Sequence, residues 1–291
     1  MSWIDFILNI AGLLLWLNWR AVPPLTAAPA GAAEPALPRR ADPPRARWRY
    51  LLGLLALLVG RAVFYWQAGS SLKWDPIIPF SFTSLAFRSD LPGRMVLFSF
   101  LSFGATLGFF YLCLLLLSWV NAPVSDADPA QRLVRLHLGS LERWPWLLKM
   151  LLPLVVTTAL WCALNPLLLW IEMVPPVSNW QLLAQGAVIA VAVYFTLRFL
   201  VLGFLALYVL NSYIYLGNSP LLNYVNTTSR GLLRPLRWLP LRIGRVDLTP
   251  LAAIALVILA WWLWHLCMLA ASARVGVMAN FWHLLWGSQL R

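Results

Sequence analysis

The sequence predicts an all-α, polytopic membrane protein with about six transmembrane helices. Apolar residues make up 61% of its 291 residues and charged residues only 11%, a balance far from that of soluble domains. Apolar runs of about 20 residues recur, each long enough to cross a bilayer as a helix. The alternating pattern of an outer-membrane barrel is absent. Many of the 18 tryptophans lie near the ends of these runs, as in an interfacial aromatic belt.

The first helix is expected at residues 3–18, within an N-terminal membrane anchor formed by residues 1–20. A signal peptide is the alternative, but no basic region precedes the apolar run and Arg20 follows it. A retained anchor with its N-terminus outside is therefore predicted. Residues 21–48 are rich in proline, alanine and arginine and cannot bury a core, so they are expected to form a semi-extended cytoplasmic linker.

The second helix is placed at about residues 49–67, and the prolines that follow exclude a regular helix in the external loop that ends at residue 94. Arg61 lies inside this helix, and an intramembrane arginine either marks a functional site or pairs within the bundle. The next two helices are predicted at 95–120 and 148–171, joined by a basic loop.

The apolar run at residues 182–216 exceeds one crossing, because about 1.5 Å per residue makes it longer than a 30 Å core. It should tilt, or project into the cytoplasm with Arg198 buried against a partner. A re-entrant hairpin is the alternative, but it would move the following basic loop outside. The sixth helix is expected at 250–271, and residues 272–291 should form an interfacial tail.

The distribution of Lys and Arg predicts the orientation. The three proposed cytoplasmic loops carry six (20–49), four (121–149) and five (217–249) of them. The outer segments carry none before the first helix, three in 68–94, none in 172–181 and two after residue 272. By the positive-inside rule, the basic loops face the cytoplasm of a bacterial inner membrane.

The loop between the last two helices concentrates the unusual residues of the chain. Arg230, Arg234 and Arg237 fall on one face of an ideal helix and leucines on another, while Pro235 and Pro240 would kink or divide that helix. This pattern is typical of a short, broken helix in the membrane interface, and a solvated charged loop is the alternative. The polar residues of this loop are expected to be turn and capping residues, and a partner-docking surface is the alternative. They are Asn218, Ser219, Asn226, Thr227, Thr228 and Ser229.

Three blocks of this loop carry a family resemblance: GNSPLLNYV, LLRPLRWLP and IGRVDLTPLAA. In this order and spacing they resemble the signature loop of the YggT family of small membrane proteins, over about residues 212–266. In the last block, Thr249 suits a helix N-cap and Pro250 the first helical position. The lipid- or partner-binding residues expected in this loop are Asn218, Pro220, Arg230, Arg234, Pro235, Arg237, Arg242, Arg245, Asp247, Thr249 and Pro250.

The loop at residues 118–153 is a degenerate copy of the same pattern. Pro129 parallels Pro220, and Leu152-Pro153-Leu154 parallels the start of the last helix. The last four helices thus form two parallel helix–basic loop–helix repeats, at 95–171 and 182–271, unlike the inverted repeats of many transporters. The resemblance also implies a two-repeat architecture.

Enzyme chemistry has little support in the sequence. None of the phosphate-loop, zinc-protease or nucleophile-elbow motifs occurs, and no pair of carboxylates shares a face within a membrane segment. No metal site is predicted. His265 could ligate haem with a second histidine from a partner chain, although a polar residue near the outer interface is the favoured reading.

Two functions remain open. The first is a non-enzymatic membrane scaffold or assembly factor whose basic loop engages anionic lipid and a protein partner in the membrane or cytoplasm, or a second copy of the chain. The resemblance associates this role with cell division, nucleoid distribution or cytochrome assembly. The second is an ion-transport component in osmotic stress, such as potassium uptake, for which Arg61 and Arg198 would matter. Direct binding of nucleic acid is not expected, because the positive-inside rule accounts for the +12 charge.

Overall fold

The computed structural model describes residues 2–20, 44–72, 75–80, 83–122, 129–171, 173–174, 176–214, 219–236, 238, 242–243 and 246–286. These residues are almost entirely helical, as predicted. The α-helices are α1 (Ser2–Arg20), α2 (Pro44–Leu72), α3 (Pro92–Val120), α4 (Pro129–Leu138), α5 (Trp146–Trp170), α6 (Asn179–Thr196), α7 (Arg198–Tyr213), α8 (Pro220–Leu232) and α9 (Thr249–Trp286). Short 3-10 helices cover Gly139–Arg143 and Arg234–Leu236.

Four short strands complete the described elements: β1 (Ile77–Phe80), β2 (Thr83–Ala86), β3 (Arg242–Ile243) and β4 (Val246–Asp247). They form two small sheets, β1 with β2 and β3 with β4. The second sheet is antiparallel and places Arg242 opposite Asp247. Both sheets lie in segments that the sequence left as loops.

Five stretches are long and apolar enough to cross a membrane, which confirms the prediction of a multi-pass protein. They are Trp48–Gly69, Pro92–Val120, Trp146–Trp170, Asn179–Ser212 and Thr249–Ala270. The predicted first segment is helical, but α1 is not among the five, so its crossing stays a prediction. The helix α2 begins at Pro44, inside the predicted linker. The remaining linker residues, 21–43, lie outside the described residues.

The chain divides into two compact units. The first contains Met1–Ile78 and Ala86–Gly108, and the second contains Pro79–Leu85 and Phe109–Arg291. The division falls within α3, whereas the sequence placed the start of the first repeat at residue 95.

In the first unit, α1 packs antiparallel on α2. Leu15 lies against Gly53, and a Cβ at Gly12 would come within 3.3 Å of a Leu54 methyl carbon. Gly12 also approaches Phe103 of α3 so closely that a Cβ would lie 2.9 Å from its ring, so the residue without a side chain fits best here. These helices bury an apolar cluster centred on Leu54, Leu58 and Phe103.

In the second unit, α5 and α6 form an antiparallel helical hairpin. The α6 N-terminus is closed by a capping box in which the Ser178 hydroxyl and the Gln181 amide satisfy each other's backbone N–H groups. Gly186 lies against Thr158, and the Tyr194 hydroxyl donates to the Met150 carbonyl. These contacts fix the register of the hairpin.

The predicted single helix over 182–216 is interrupted at Leu197. There the amide of Leu197 bonds to the Tyr194 carbonyl at 3.0 Å, one residue short of the α-helical pattern. The Thr196 hydroxyl donates to the Val193 carbonyl at 2.5 Å, a back-bond that favours bending. Leu197 keeps right-handed helical torsions (φ −62°, ψ −17°), so α7 continues in the same sense as α6 and the re-entrant hairpin is excluded.

The last helix is longer than predicted. It continues from Thr249 to Trp286 without a break, so residues 272–286 of the predicted interfacial tail are its final turns. No proline interrupts the sequence after Pro250, which explains the continuity. At its start, the Leu248 carbonyl accepts a hydrogen bond from the Ala252 amide at 3.0 Å. Leu248 therefore occupies the N-cap position, and the assignment of Thr249 to it was wrong by one residue.

The two basic loops are more helical than expected. Residues 121–147 contain α4 and a 3-10 helix, and both α4 and α8 begin with the paired prolines, Pro129 and Pro220. Pro153 lies well inside α5, however, and does not mark a helix start as Pro250 does. Pro153 and Pro250, which the two proposed repeats place at equivalent positions, therefore do not occupy equivalent positions in their helices.

Candidate functional site

The arginine that the sequence placed inside the second helix is held by an ion pair. Arg61 Nη2 lies 2.8 Å from Asp5 Oδ1 of α1, and Arg61 Nη1 donates to Asn9 Oδ1 at 2.7 Å. Arg61 Nη2 also donates to Ser102 Oγ at 2.9 Å, and the Tyr65 hydroxyl donates to Asp5 Oδ1 at 2.5 Å. The Arg61 side chain has no solvent exposure and that of Asp5 has 20%. Arg61 is thus neutralised inside the first unit.

Two rings complete the surroundings of this guanidinium. Its carbon lies 5.4 Å from the centre of the Tyr65 ring and 5.2 Å from that of Phe98, within cation–π range. Asp5 and Asn9 were not predicted as partners. A signal was present, because they are polar residues four positions apart on one face of an apolar helix.

The second arginine, Arg198, has a different environment. Its guanidinium carbon lies 4.3 Å from the Trp261 ring centre and 4.5 Å from that of Phe199. The side chain is half-buried, and among the described residues no carboxylate lies within ion-pair distance of it. It lines a cleft of about 270 Å³, which we call the Arg198 cleft. The other lining residues are Ile189, Ala192, Val193, Phe195, Thr196, Trp261, Trp264, His265 and Met268.

The hairpin register gives the level of Arg198 along the bundle. Gly186 faces Thr158 and Tyr194 reaches Met150, so eight residues along α6 correspond to eight along α5. Four residues further, Arg198 lies level with Trp146, the first residue of α5. Arg198 is therefore at the loop end of α5 and not halfway along it.

The helix α8 of the central loop is seated on the bundle by one face. Its buried residues are Tyr224, Val225, Thr228 and Ser229, the spacing of a single helical face. Thr228 Oγ1 accepts from Asn121 Nδ2 at 2.8 Å, and Ser229 Oγ donates to the Phe204 carbonyl at 3.0 Å. The turn or capping role expected for Thr228 and Ser229 was wrong, because both lie in the helix interior and are bonded to α7 or the end of α3.

The C-terminal end of α8 packs closely against the end of α3. A Cβ on Gly231 would lie 2.6 Å from Val120 Cγ1 and 3.0 Å from the Val120 carbonyl oxygen, so the two helices approach each other at backbone distance. At the other end, Ser219 caps α8 by accepting from the Leu222 amide at 3.3 Å, as the capping prediction for this residue required.

The helix α4 of the other basic loop packs beside α8. Val134 and Leu138 join Leu114 and Leu115 of α3 in a buried cluster, and Gln131 Oε1 accepts from the Tyr224 hydroxyl of α8 at 3.4 Å. Nearby, Lys149 is buried and donates to Ser118 Oγ at 2.9 Å. The helices α4 and α8, which pack against α3, α5 and α7, together with Arg234–Leu236 and Trp238 after α8, are called the loop platform below.

The outer surface of the loop platform combines arginines with large apolar residues. Arg230 and Arg234 are exposed, as are Leu221 and Trp238 of the same loop. On α4, Arg132 is exposed beside Leu133 and Leu136.

The sequence placed Arg230, Arg234 and Arg237 on one face of a single helix, but this helix does not extend that far. Arg230 belongs to α8, but Arg234 lies in the following 3-10 helix. Pro235 explains the break, because proline removes a helical donor and clashes with the carbonyl four residues earlier. Pro220 is the first residue of α8, Asp247 ends β4, and Thr249 and Pro250 are the first two residues of α9. Three predicted site residues, Asn218, Arg237 and Arg245, lie outside the described residues.

His265 lies on the rim of the Arg198 cleft. Its ring stacks on Trp261 with centroids 6.0 Å apart, and its side chain is exposed. Within the described residues, no group of three or more His, Cys, Asp and Glu side chains could hold a metal ion.

Comparison of the chain with protein-family models, with curated proteins and with solved structures gave no match. Membership of the YggT family therefore stays a prediction based on the loop motif.

Proposed function

We propose that this chain is a non-enzymatic membrane scaffold or assembly factor of the YggT type, acting through the loop platform on anionic lipid and a protein partner. The observation that carries the proposal is the construction of α8. One face of α8 is fixed to the bundle by buried hydrogen bonds, and Arg230 is exposed on the opposite face, followed by the exposed Arg234 and Trp238. A rigid seat lowers the entropy cost of binding, because the surface is already ordered.

The mixture of residues on the loop platform fits a membrane interface. Arginines next to large apolar side chains are typical of helices that lie on anionic membranes, where each cation contributes roughly 1 kcal/mol. Acidic groups of a partner can contact the same exposed arginines.

The proposal places six helices in a bacterial inner membrane, with the N-terminus outside and both basic loops in the cytoplasm. The sixth is α1, whose 19 residues span about 28 Å at 1.5 Å per residue and pack antiparallel along α2. The charge asymmetry of the loops supports the orientation.

Two parallel repeats are part of the same proposal. In each, a long apolar helix is followed by a short amphipathic helix that begins with proline and returns to the bundle, α4 after α3 and α8 after α7. The degenerate first copy then supports the second, since Gln131 of α4 bonds to Tyr224 of α8.

Ion transport is the alternative that the two arginines raised. Arg61 is a poor candidate for lining a pathway, because Asp5, Asn9 and Ser102 already surround its charge. Arg198 borders an open cleft and keeps the alternative testable. A potassium flux in liposomes that exceeds the empty control and changes in Arg198→Gln would favour transport over the scaffold.

Partner capture tests the scaffold role. The full-length chain is purified in mild detergent as wild type, as Arg230→Gln/Arg234→Gln, and as Arg88→Gln, which removes an exposed arginine from the predicted external loop. The same protein should co-purify with wild type and the Arg88 variant and be lost from the loop variant. Retention in all three would contradict the proposal.

Cysteine accessibility tests the orientation. In a background without Cys113, Cys162 and Cys267, single cysteines are placed by Thr227→Cys and Asn179→Cys, both at exposed positions. In intact cells, an impermeant thiol reagent should label the second variant and spare the first until the membrane is opened. The reverse pattern would invert the topology.

A further inference from the structure

We propose that the Arg198 cleft binds the phosphate-bearing headgroup of an anionic phospholipid. This site is separate from the loop platform, and the inference does not rest on the scaffold role.

The cleft provides a cation that the described residues leave without a counter-ion. Arg198 is half-buried against Trp261 and Phe199, and it has no carboxylate within ion-pair distance in the described part of the chain. Partial burial of an unpaired charge is costly, so an anion that enters the cleft gains a strong electrostatic partner.

Two aromatic rings hold the Arg198 guanidinium in a position from which it can bind a phosphate. Trp261 and Phe199 contact it at ring-centre distances of 4.3 Å and 4.5 Å, and stacking on aromatic faces leaves the N–H groups at its edge free to point elsewhere. A guanidinium fork matches two oxygens of one phosphate, which makes arginine the usual residue for bidentate phosphate binding. Trp261 is itself held by the stacked His265.

The level of Arg198 suits a headgroup rather than a solute in the bilayer centre. It lies level with Trp146, while Trp170 at the other end of α5 is 82% exposed and Trp180 at the start of α6 is 79% exposed. The 25 residues of α5 span about 37 Å, roughly a hydrocarbon core with part of both interfaces. Tryptophans at both ends mark these interfaces, so Arg198 lies where lipid phosphates are found.

The remaining lining of the cleft suits an acyl chain. Ile189, Ala192 and Val193 of α6 and Met268 of α9 are apolar and lie on the bilayer side of Arg198. A volume of about 270 Å³ is slightly below the roughly 300–1,000 Å³ of small-molecule sites, and the cleft is open. It can therefore hold a phosphate and the upper part of one chain while the rest of the lipid stays in the bilayer. Basic pockets between membrane helices on the cytoplasmic side are known to bind such headgroups.

Native mass spectrometry of the full-length protein in detergent tests the proposal. Phosphatidylglycerol, phosphatidylcholine and inorganic phosphate are titrated separately against wild type, Arg198→Gln, Arg198→Lys and Ala192→Trp. The double variant Arg230→Gln/Arg234→Gln is the matched control, because it removes cations from the loop platform alone. Size-exclusion profiles verify that every variant is folded.

Wild type should prefer phosphatidylglycerol over phosphatidylcholine, and Arg198→Gln should weaken that binding by at least about fivefold, the factor that roughly 1 kcal/mol per cation gives. Arg198→Lys should retain part of the preference. Ala192→Trp should lose it by filling the cleft with Arg198 unchanged, which keeps the test valid if Arg198→Gln fails to fold. The loop control should keep the Arg198-dependent binding.

Four results would overturn the proposal. They are equal binding of the two lipids, unchanged binding in Arg198→Gln, unchanged binding in Ala192→Trp, and displacement of phosphatidylglycerol by equal concentrations of inorganic phosphate. The last would assign the cleft to a free anion.

Discussion

The ion pair between Asp5 and Arg61 gives the sharpest stability prediction, and a double-mutant cycle tests it. The single changes are Arg61→Leu and Asp5→Leu, and the double change removes both charges. Breaking a buried pair by removing one partner typically costs about 3–5 kcal/mol, because the other charge stays buried and unpaired. Arg61→Leu also leaves Asn9 Oδ1 without the donor that now lies 2.7 Å away.

The double variant should be much more stable than the sum of the two single changes predicts. With both charges gone, the hydrogen bonds that Arg61 donates to Asn9 and Ser102 and that Tyr65 donates to Asp5 are missing, and each unsatisfied group costs about 1–3 kcal/mol. A coupling energy of at least about 2 kcal/mol is therefore expected from the cycle. The measurement is the free energy of unfolding of the purified protein in micelles, titrated with a denaturing detergent.

The first unit supplies its own control for this cycle. Arg88 and Asp90 are 2.7 Å apart, close to the 2.8 Å of the buried pair, but their side chains are 65% and 52% exposed. The same cycle on this pair should give a coupling of about 0–1 kcal/mol, as for other exposed pairs. If both pairs coupled equally weakly, the burial argument for Arg61 would be refuted.

Four further changes test how α8 is seated, each read as a change in the free energy of unfolding. Gly231→Ala would place a Cβ 2.6 Å from a carbon of α3 and should cost about 1–3 kcal/mol, whereas Gly203→Ala meets no atom within 4 Å and should stabilise by up to about 1 kcal/mol. Ser219→Ala removes the α8 cap and should cost about 1 kcal/mol. Thr228→Val leaves the buried Asn121 amide without its acceptor and should cost about 1–3 kcal/mol. Equal effects at the two glycines would contradict the close approach of α8.

The membrane helices were predictable because their signal is local. A run of about 20 apolar residues is a property of one segment, and the start of α5 at Trp146 lies within two residues of its expected position. The break at Leu197 was harder to place, because it depends on how the Thr196 hydroxyl competes for a backbone carbonyl.

The partners of buried polar groups could not be predicted, because they are set by residues far apart in the chain. Asp5 and Arg61 are separated by 56 positions, and Asn121 and Thr228 by 107. Thr228 and Ser229 belong to types that favour caps and turns, yet tertiary hydrogen bonds outweigh this preference. The helix α4 was overlooked although Val134 and Leu138 have helical spacing, because its arginines suggested a loop.

The pairing of Asp5 with Arg61 has a consequence for biosynthesis. An arginine in the apolar span of α2 makes insertion by the translocon less favourable by roughly 2.5–3.5 kcal/mol if it is at the centre of the helix. Asp5 is synthesised 56 residues earlier, so α1 has left the ribosome when Arg61 emerges. The Asp5 carboxylate is therefore in place when Arg61 emerges, and α2 can insert together with α1 with the charge of Arg61 neutralised. In this order of synthesis, Asp5 is present in the chain before the arginine that it neutralises.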